Sequence, residues 1–253
     1  MLASHPMLNR LFENLRPVLD ESARRLRELS QKTGKIRLKH KTPLPEAQYY
    51  DTEVFRRAHA LLDCVYRLEH IRKFIERFPS PSRYEKQGIS QYTWIEYHYS
   101  YYVITLVTLS DLSLILLNGV FRLGIPEKSC KADVIKNNDW VRKTSVNKKL
   151  ESLEKILERH RPIRNLYIHR GLAPGLHEVF QSEMMDYLHL IAFVHLHSEP
   201  IIDRKLLELA YKGQINSICK KLDTEISAVR EAIWHLFDSL LPTYEGIARS
   251  LRQ

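Results

Sequence analysis

The amino-acid sequence predicts an all-α protein, and two observations support this fold class. Glycine is scarce, with 8 residues in a chain of 253, whereas Leu, Arg, Lys and Glu, which favour helices, are abundant. Apolar residues recur at helical spacing in several long segments, and no segment shows the alternation that is typical of a strand. Hydrophobic residues make up 44% of the chain, which is enough to build a core.

Residues 1–48 are expected to form an N-terminal extension. Residues 9–33 carry apolar residues at helical spacing, and Pro17 predicts either a kink or a division into two short helices. Residues 34–48 are basic and contain two prolines, which indicates a loop or arm. That arm either contacts phosphates or serves as a solvated connector.

Residues 49–198 are expected to contain a central bundle of helices. The predicted helices cover residues 49–78, 90–123, 144–160 and 177–198. Pro162 either kinks the third of these helices or opens a new helix as its first residue, where the missing N–H costs little. Gly171 and Pro174 then end that helix.

Residues 199–253 are expected to form a C-terminal helical extension. A helix over residues 221–241 has a candidate N-cap at Asp223 or Thr224. A DNA-binding helix-turn-helix within residues 201–251 is the least favoured interpretation, because the segment TEISAVREAIWHLF lacks the residue pattern that such a motif needs.

The chain is basic, with a formal net charge of +9. That excess favours polyanionic partners, either nucleic acid or an acidic membrane surface, and it places nucleic acid ahead. The three cysteines, Cys64, Cys130 and Cys219, are widely spaced, so the sequence offers neither a disulfide framework nor a cysteine-based zinc site. A reducing compartment suits this usage, and we expect a cytoplasmic protein.

The most apolar stretch, residues 101–121, resembles a membrane span in length but is interpreted as a core helix. Asp111 and Asn118 interrupt it and Arg122 follows directly, and uncompensated charge inside a membrane is costly. The N-terminus lacks the basic-then-apolar pattern of a signal peptide. We therefore expect no membrane partner.

The segment RPIRNLYIHRG, residues 161–171, brings three chemically capable side chains together shortly before a glycine. Asn165 and His169 lie four residues apart, so on a helix they share a face, and the long side chain of Arg164 can lean toward that face. An imidazole, an amide and a guanidinium can then converge on one phosphate. The alternative is structural, because cationic residues near a helix C-terminus also suit the helix dipole.

The motif RNLYIHRG resembles the signature of the HEPN superfamily, in which four to six residues separate an Arg from a His and a polar residue often follows the Arg. Its position is also similar, after a long helix and before the last core helix of a four-helix bundle. The resemblance covers about residues 50–198. It implies an HEPN-like four-helix up-down bundle with extra N-terminal and C-terminal helices.

Catalytic HEPN proteins are metal-independent endoribonucleases, so the resemblance implies that RNA is the substrate and that no cofactor is needed. The ribose 2′-OH attacks the adjacent phosphate and leaves a 2′,3′-cyclic phosphate and a 5′-OH end. His169 would transfer a proton, Arg164 would neutralise the charge on the phosphoryl oxygens, and Asn165 would fix the geometry.

The resemblance also implies partners. HEPN proteins usually form dimers whose two motifs share a cleft, which implies a homodimer with the active site at the interface. It further implies a toxin or antiviral defence effector, with an antitoxin or defence-system protein as a partner. The alternative is a non-catalytic HEPN module that binds nucleotide, RNA or another protein.

Further residues are weaker candidates for the site. Arg161 and Arg170 flank the motif and either bind RNA or only add solubility. Asp111 and Asn118 are expected to lie with Arg122 on one line of the apolar helix. There Asp111 and Asn118 either orient the catalytic side chains or form plain interhelical hydrogen bonds.

No metal site is expected. His189, His195 and His197 lie close together in the sequence, but residues two and six apart do not share a helix face, which is poor geometry for three ligands of one ion. Structural or surface roles suit these histidines better.

Overall fold

The computed structural model describes residues 2–33, 44–79, 81–171, 175–197 and 202–253. Across these ranges the chain forms eleven α-helices and no strand, so the all-α prediction is confirmed. The helices are α1 (Pro6–Thr33), α2 (Glu46–Glu76), α3 (Pro81–Glu85), α4 (Gln91–Val120), α5 (Ala132–Lys136), α6 (Asp139–Arg142), α7 (Val146–Glu158), α8 (Arg161–Arg170), α9 (Leu176–Phe180), α10 (Glu183–His197) and α11 (Arg204–Ser250). Residues 34–43 of the predicted basic arm lie outside the described residues.

The chain divides into two compact units, each with its own core. The first unit comprises Met1–Leu62, Asp111–Ser152 and Ala232–Gln253, and the second comprises Asp63–Ser110 and Leu153–Glu231. Fully buried core residues of the first unit include Met7, Leu11, Val54, Leu116 and Phe237. Those of the second unit include Leu68, Tyr102, Leu106, Leu153 and Val229. The three sequence segments predicted as domains, 1–48, 49–198 and 199–253, stay a prediction.

Helix α1 continues through Pro17 as one helix, so the predicted division into two short helices is wrong. Leu8, Leu11 and Leu15 are buried at spacings of three and four residues, which places them on one face. Burial of this apolar face compensates for the backbone hydrogen bond that Pro17 cannot donate.

Helix α4 ends at Val120, earlier than predicted, because the chain turns sharply after it. Arg122 has a left-handed backbone with φ of 54°. The Asn118 side chain secures this turn, since its Nδ2 donates to the Ile125 carbonyl at 2.6 Å and its Oδ1 accepts from the Ile125 N–H at 3.1 Å. Arg122 therefore lies beyond the helix, and its predicted place on a line with Asp111 and Asn118 is wrong.

Asn118→Ala is expected to lower the free energy of unfolding by about 1–2 kcal/mol, because both polar backbone groups of Ile125 lose their partner in a part-buried turn. Urea titration of the variant measures this loss. Asn137→Ala is the matched control, because Asn137 is exposed and its side chain makes no described hydrogen bond. The free energy of unfolding of the control variant should differ from that of the parent by less than about 0.5 kcal/mol. An equal effect of the two substitutions would contradict this account of the turn.

Helix α8 starts as a new helix at Arg161, with Pro162 in its second position. Of the two alternatives for Pro162, the opening of a new helix is therefore the correct one. Gly171 ends the helix with φ of 64° and donates its N–H to the Tyr167 carbonyl at 3.0 Å. Glycine suits this left-handed position because it has no Cβ, so the predicted stop is confirmed. Pro174 lies outside the described residues.

The helix predicted over residues 177–198 is divided into α9 and α10. Gln181 has a left-handed backbone with φ of 51°, which ends α9 after Phe180. The hydroxyl of Ser182 then donates to Gln214 Oε1 at 2.8 Å just before α10 begins. The sequence carries no Gly or Pro at this break, and its apolar spacing therefore predicted a single helix.

Helix α11 is continuous over 47 residues, from Arg204 to Ser250. Buried residues recur along it at helical spacing, and the burial of this stripe outweighs the capping potential of Asp223 and Thr224. The Thr224 hydroxyl instead donates to the Lys220 carbonyl at 3.0 Å within the helix. The predicted helix start at Asp223 or Thr224 is wrong, and residues 202–253 contain no helix-turn-helix.

By length and composition, helix α4 could cross a membrane. In the structure, 67% of its most apolar window is buried inside the protein. Tyr102, Leu106, Leu109 and Leu116 are among its fully buried side chains. These contacts agree with the interpretation of this stretch as a core helix.

Candidate active site on helix α8

Helix α8 carries the three motif residues on an exposed segment of the second unit. Asn165 and His169 are exposed, Arg164 is half-buried, and no residue of the helix is buried. Arg164 Nη1 donates to Asn165 Oδ1 at 3.1 Å, so the guanidinium leans toward Asn165. The structure thus brings Arg164 and Asn165 into contact and places His169 one helical turn further along the face of Asn165.

The chemistry of this exposed face follows from its side chains. The Arg164 guanidinium can bind a phosphate group through several N–H donors, and only one of them is committed to Asn165. The His169 imidazole has no hydrogen-bond partner among the described residues, and a histidine can accept or donate a proton near neutral pH. A guanidinium that can bind an anion and an imidazole that can carry a proton therefore lie close together on one accessible surface.

A cleft of about 800 Å³ in the second unit borders the start of α8. Three cations, Lys155, Arg159 and Lys221, line this cleft. Tyr99 and Phe180 contribute aromatic walls. The cleft residues come from segments far apart in the sequence, so no local motif predicts the cleft.

The buried carboxylate of Glu225 is the polar centre of this cleft. His160 Nε2 donates to Glu225 Oε1 at 2.6 Å, Tyr102 Oη donates to Glu225 Oε2 at 2.9 Å, and the Arg159 guanidinium also donates to Oε1. Burial alone would raise the pKa of Glu225, but the hydrogen bonds and charges of these three neighbours outweigh burial and lower it. Glu225 is therefore held as a carboxylate.

A family model for Cthe2314-like HEPN proteins matches residues 50–230, most of the chain. The chain belongs to this HEPN family. The match includes the whole of α8 and the residues of the cleft, and it extends further into the C-terminal part than the motif resemblance did. No curated protein and no solved structure matches the chain.

The two arginines that flank the HEPN motif differ in their contacts. Arg161 Nη2 donates to Ser110 Oγ at 3.0 Å, which ties the first turn of α8 to helix α4. Arg170 is exposed in the last turn of α8, where a cation suits the helix dipole. Binding of RNA by Arg161 and Arg170 stays a prediction for this HEPN protein.

The two residues predicted to orient the motif have different surroundings. Asp111 is exposed, whereas Asn118 is buried and its side-chain amide hydrogen-bonds to the backbone of Ile125. The hydrogen bonds of the Asn118 side chain therefore have a structural explanation in the turn after α4. An orienting role for Asp111 or Asn118 stays a prediction.

Metal ligation has little structural support in the described part of this HEPN protein. No group of three or more His, Cys, Asp or Glu side chains there could hold an ion. His189 instead packs edge-on against Tyr92, with 4.5 Å between the ring centroids. The side chains of His195 and His197 lie outside the described residues.

The stability of this HEPN protein is expected to depend on the charge of Glu225 at acid pH. Because folding lowers the pKa of Glu225 below its ordinary value of 4.5, ionised Glu225 stabilises the fold above that pH, and the stabilisation is lost as the pH falls. In Glu225→Gln, the free energy of unfolding should decline less steeply below about pH 4.5 than in the parent. Urea titrations across this range measure both slopes, and equal slopes would contradict the assignment.

Proposed function

We propose that this HEPN protein is a metal-independent endoribonuclease with its active site at Arg164, Asn165 and His169. The observation that supports it most is the placement of Asn165 and His169 on one exposed helix face, toward which the half-buried Arg164 leans through a hydrogen bond of 3.1 Å to Asn165. Family membership adds to this support, because the motif that prompted the proposal lies inside the matched region.

The proposed reaction is an internal transfer of the phosphoryl group. The ribose 2′-oxygen forms a bond to phosphorus while the bond from phosphorus to the 5′-oxygen breaks, and no water is consumed in this step. A base accepts the proton of the 2′-OH, and an acid gives a proton to the leaving 5′-oxygen. Arg164 stabilises the charge that builds up on the phosphoryl oxygens, and Asn165 holds Arg164 in place.

The balance of protons favours a homodimer. One exposed His169 cannot act as acid and base at the same moment, whereas two motifs facing each other would supply one histidine for each task. The exposure of α8 supports such an interface, because Leu166 and Ile168 on this helix are also 40% and 45% exposed. Large apolar side chains next to a polar site are typical of surfaces that a partner covers.

We place this enzyme in the cytoplasm as a toxin or antiviral defence effector that halts translation by cutting RNA. The basic charge supports an RNA partner. An antitoxin or another protein of the same defence system would keep such an activity silent.

A paired cleavage assay tests the proposal. The parent and an Arg164→Ala/His169→Ala variant are incubated with total cellular RNA in EDTA, and the product ends are mapped. We expect cleavage by the parent alone, with 2′,3′-cyclic phosphate and 5′-OH ends. Cleavage by both proteins, or other product ends, would refute the assigned site and chemistry.

A non-catalytic module that binds a protein partner is the second candidate. Helix α10 favours it, because four large apolar side chains that recur every third residue are exposed on it. These residues are Met184, Tyr187, Leu190 and Phe193. Contiguous exposed apolar side chains are typical of protein–protein interfaces. An inactive parent that co-purifies with a partner through α10 would favour this function.

A further inference from the structure

The positive charge of the chain is concentrated in one short segment of the first unit. Residues 128–149 contain seven Lys or Arg and two acidic residues, so they supply more than half of the net charge of +9. The segment includes α5, α6 and the start of α7. We call residues 128–149 the basic segment.

Most cations of the basic segment have no acidic partner. Lys128, Lys131, Arg142, Lys143 and Lys149 take part in no ion pair with any described residue. Elsewhere on the surface the arginines are commonly paired within their own helix, as Arg24 is with Glu21 and Glu28. Unpaired cations in such density repel one another, and a polyanion relieves that repulsion.

Trp140 stands on this segment with 70% of its surface exposed. The other two tryptophans have partners, since Trp94 Nε1 donates to the Phe74 carbonyl and Trp234 packs edge-on against His5. Lys143 Nζ lies 5.6 Å from the centroid of the Trp140 ring, so a cation and an open aromatic face are adjacent. An exposed tryptophan beside cations suits a ligand that carries both an aromatic ring and a negative charge.

The backbone around Trp140 is fixed before any ligand binds. Asn138 caps α6 by accepting the Trp140 N–H at 3.0 Å, and Val141, the next residue, is fully buried. The backbone of Trp140 is therefore anchored while its ring stays free to stack. Pre-organisation of this kind lowers the entropic cost of binding.

We propose that the basic segment is a docking surface for single-stranded RNA, with Trp140 stacking on an unpaired base and the surrounding cations contacting phosphates. That the ligand is RNA rests on the proposed function. That it binds at the basic segment rests on the exposed Trp140 and on the unpaired cations of this segment. Single strands suit the surface because their bases are accessible to an aromatic side chain, which the bases of a duplex are not.

A membrane surface fits this segment less well. An interfacial helix needs a continuous apolar face that can enter the headgroup layer. Helices α5 and α6 have only five and four residues, and Ile135 and Val141 on them are fully buried in the protein, whereas Val134 is 43% exposed. The segment thus offers charge, one aromatic ring and the single exposed aliphatic side chain of Val134, which do not make a continuous apolar face.

Binding to a labelled single-stranded RNA of about 20 nucleotides tests the inference by fluorescence anisotropy. All proteins are full-length and carry His169→Ala, which is expected to slow cleavage of the probe by about 10²–10⁴-fold. Trp140→Ala is expected to raise the Kd about tenfold, which is the lower part of the range for a base stacked on an aromatic side chain. Trp140→Phe should retain most of the affinity, and an exposed aromatic elsewhere, in Tyr97→Ala, is the matched control that should leave the Kd unchanged.

The salt dependence of Kd tests the cations separately. Neutralising Arg142 and Lys143 together, as Arg142→Gln/Lys143→Gln, should reduce the slope of log Kd against log salt by about 1.4, the value for two phosphate contacts on a single strand. The control pair Arg10→Gln/Arg24→Gln removes two cations that have acidic partners, and its slope should stay that of the parent.

Three results would overturn the inference. One is an unchanged Kd for Trp140→Ala, and another is equal affinity for a duplex of the same length. The third is loss of binding to anionic phospholipid vesicles in the same variants while RNA binding stays intact, which would assign the surface to a membrane. Failure of the proposed function can be distinguished from failure of this inference. In that case the parent would not cleave RNA, but its binding of RNA would still depend on Trp140.

Discussion

Replacing His169 with alanine is expected to slow RNA cleavage by about 10²–10⁴-fold, the usual contribution of a general acid or base. The fold should remain intact, because His169 is exposed on α8 and makes no described hydrogen bond. Exposed substitutions of this kind change stability by about 0.5 kcal/mol or less. The measurement is the single-turnover rate on a defined RNA, together with the unfolding midpoint of each protein.

The matched control for this variant is His70→Ala. His70 is an exposed histidine on helix α2 in the same compact unit, so its removal changes composition equally without touching the motif. We expect the control to cleave at the rate of the parent. Full activity in His169→Ala would remove this residue from the site, and an equal loss in both variants would point to an indirect effect.

Alanine substitutions of Arg164 and Asn165 should reduce the cleavage rate by different factors in the same assay. Arg164→Ala removes the charge that we propose stabilises the transition state, and loss of one such donor costs about 10²–10³-fold in rate. Asn165→Ala removes only the hydrogen bond that holds Arg164, so we expect a smaller loss. The reverse order would mean that Asn165 itself touches the substrate.

Glu225→Ala is expected to lower the free energy of unfolding by about 3 kcal/mol, because two buried hydrogen-bond partners are left unsatisfied. His160 and Tyr102 are both buried and would lose the acceptor of their hydrogen bonds. Arg159 loses less, because its side chain is 69% exposed and can be solvated again. Urea denaturation gives the difference directly.

Glu208→Ala is the matched control on the same helix. Glu208 pairs with Arg204 at 3.1 Å, but both side chains are largely exposed, so this pair should contribute less than about 1 kcal/mol. A loss in Glu225→Ala that is no larger than the control would show that the buried network does not stabilise the fold. A large loss would establish Glu225 as the anchor between α11 and the start of α8.

Local patterns in the sequence predict the helical class, the main helices and the motif. Scarce glycine and apolar spacing predicted α2, α4 and α7 with small errors at their ends, because helix periodicity is a local property of the chain. The sequence likewise predicts that Arg164, Asn165 and His169 lie close together on one helix, because residues four and five positions apart lie about one helical turn apart.

The ends of several helices, and the contacts between residues far apart in the sequence, depend on the tertiary structure. Helix α11 continues through Asp223 and Thr224, although both residue types favour the start of a helix, because its apolar stripe is buried. Helices α9 and α10 are separated at Gln181, which has a left-handed backbone although it is not a glycine. Glu225 meets His160 across 65 positions and Tyr102 across 123, which no local pattern can reveal. The physical reason is that burial and ion pairing depend on which segments the fold brings together, whereas helical spacing depends on neighbouring residues alone.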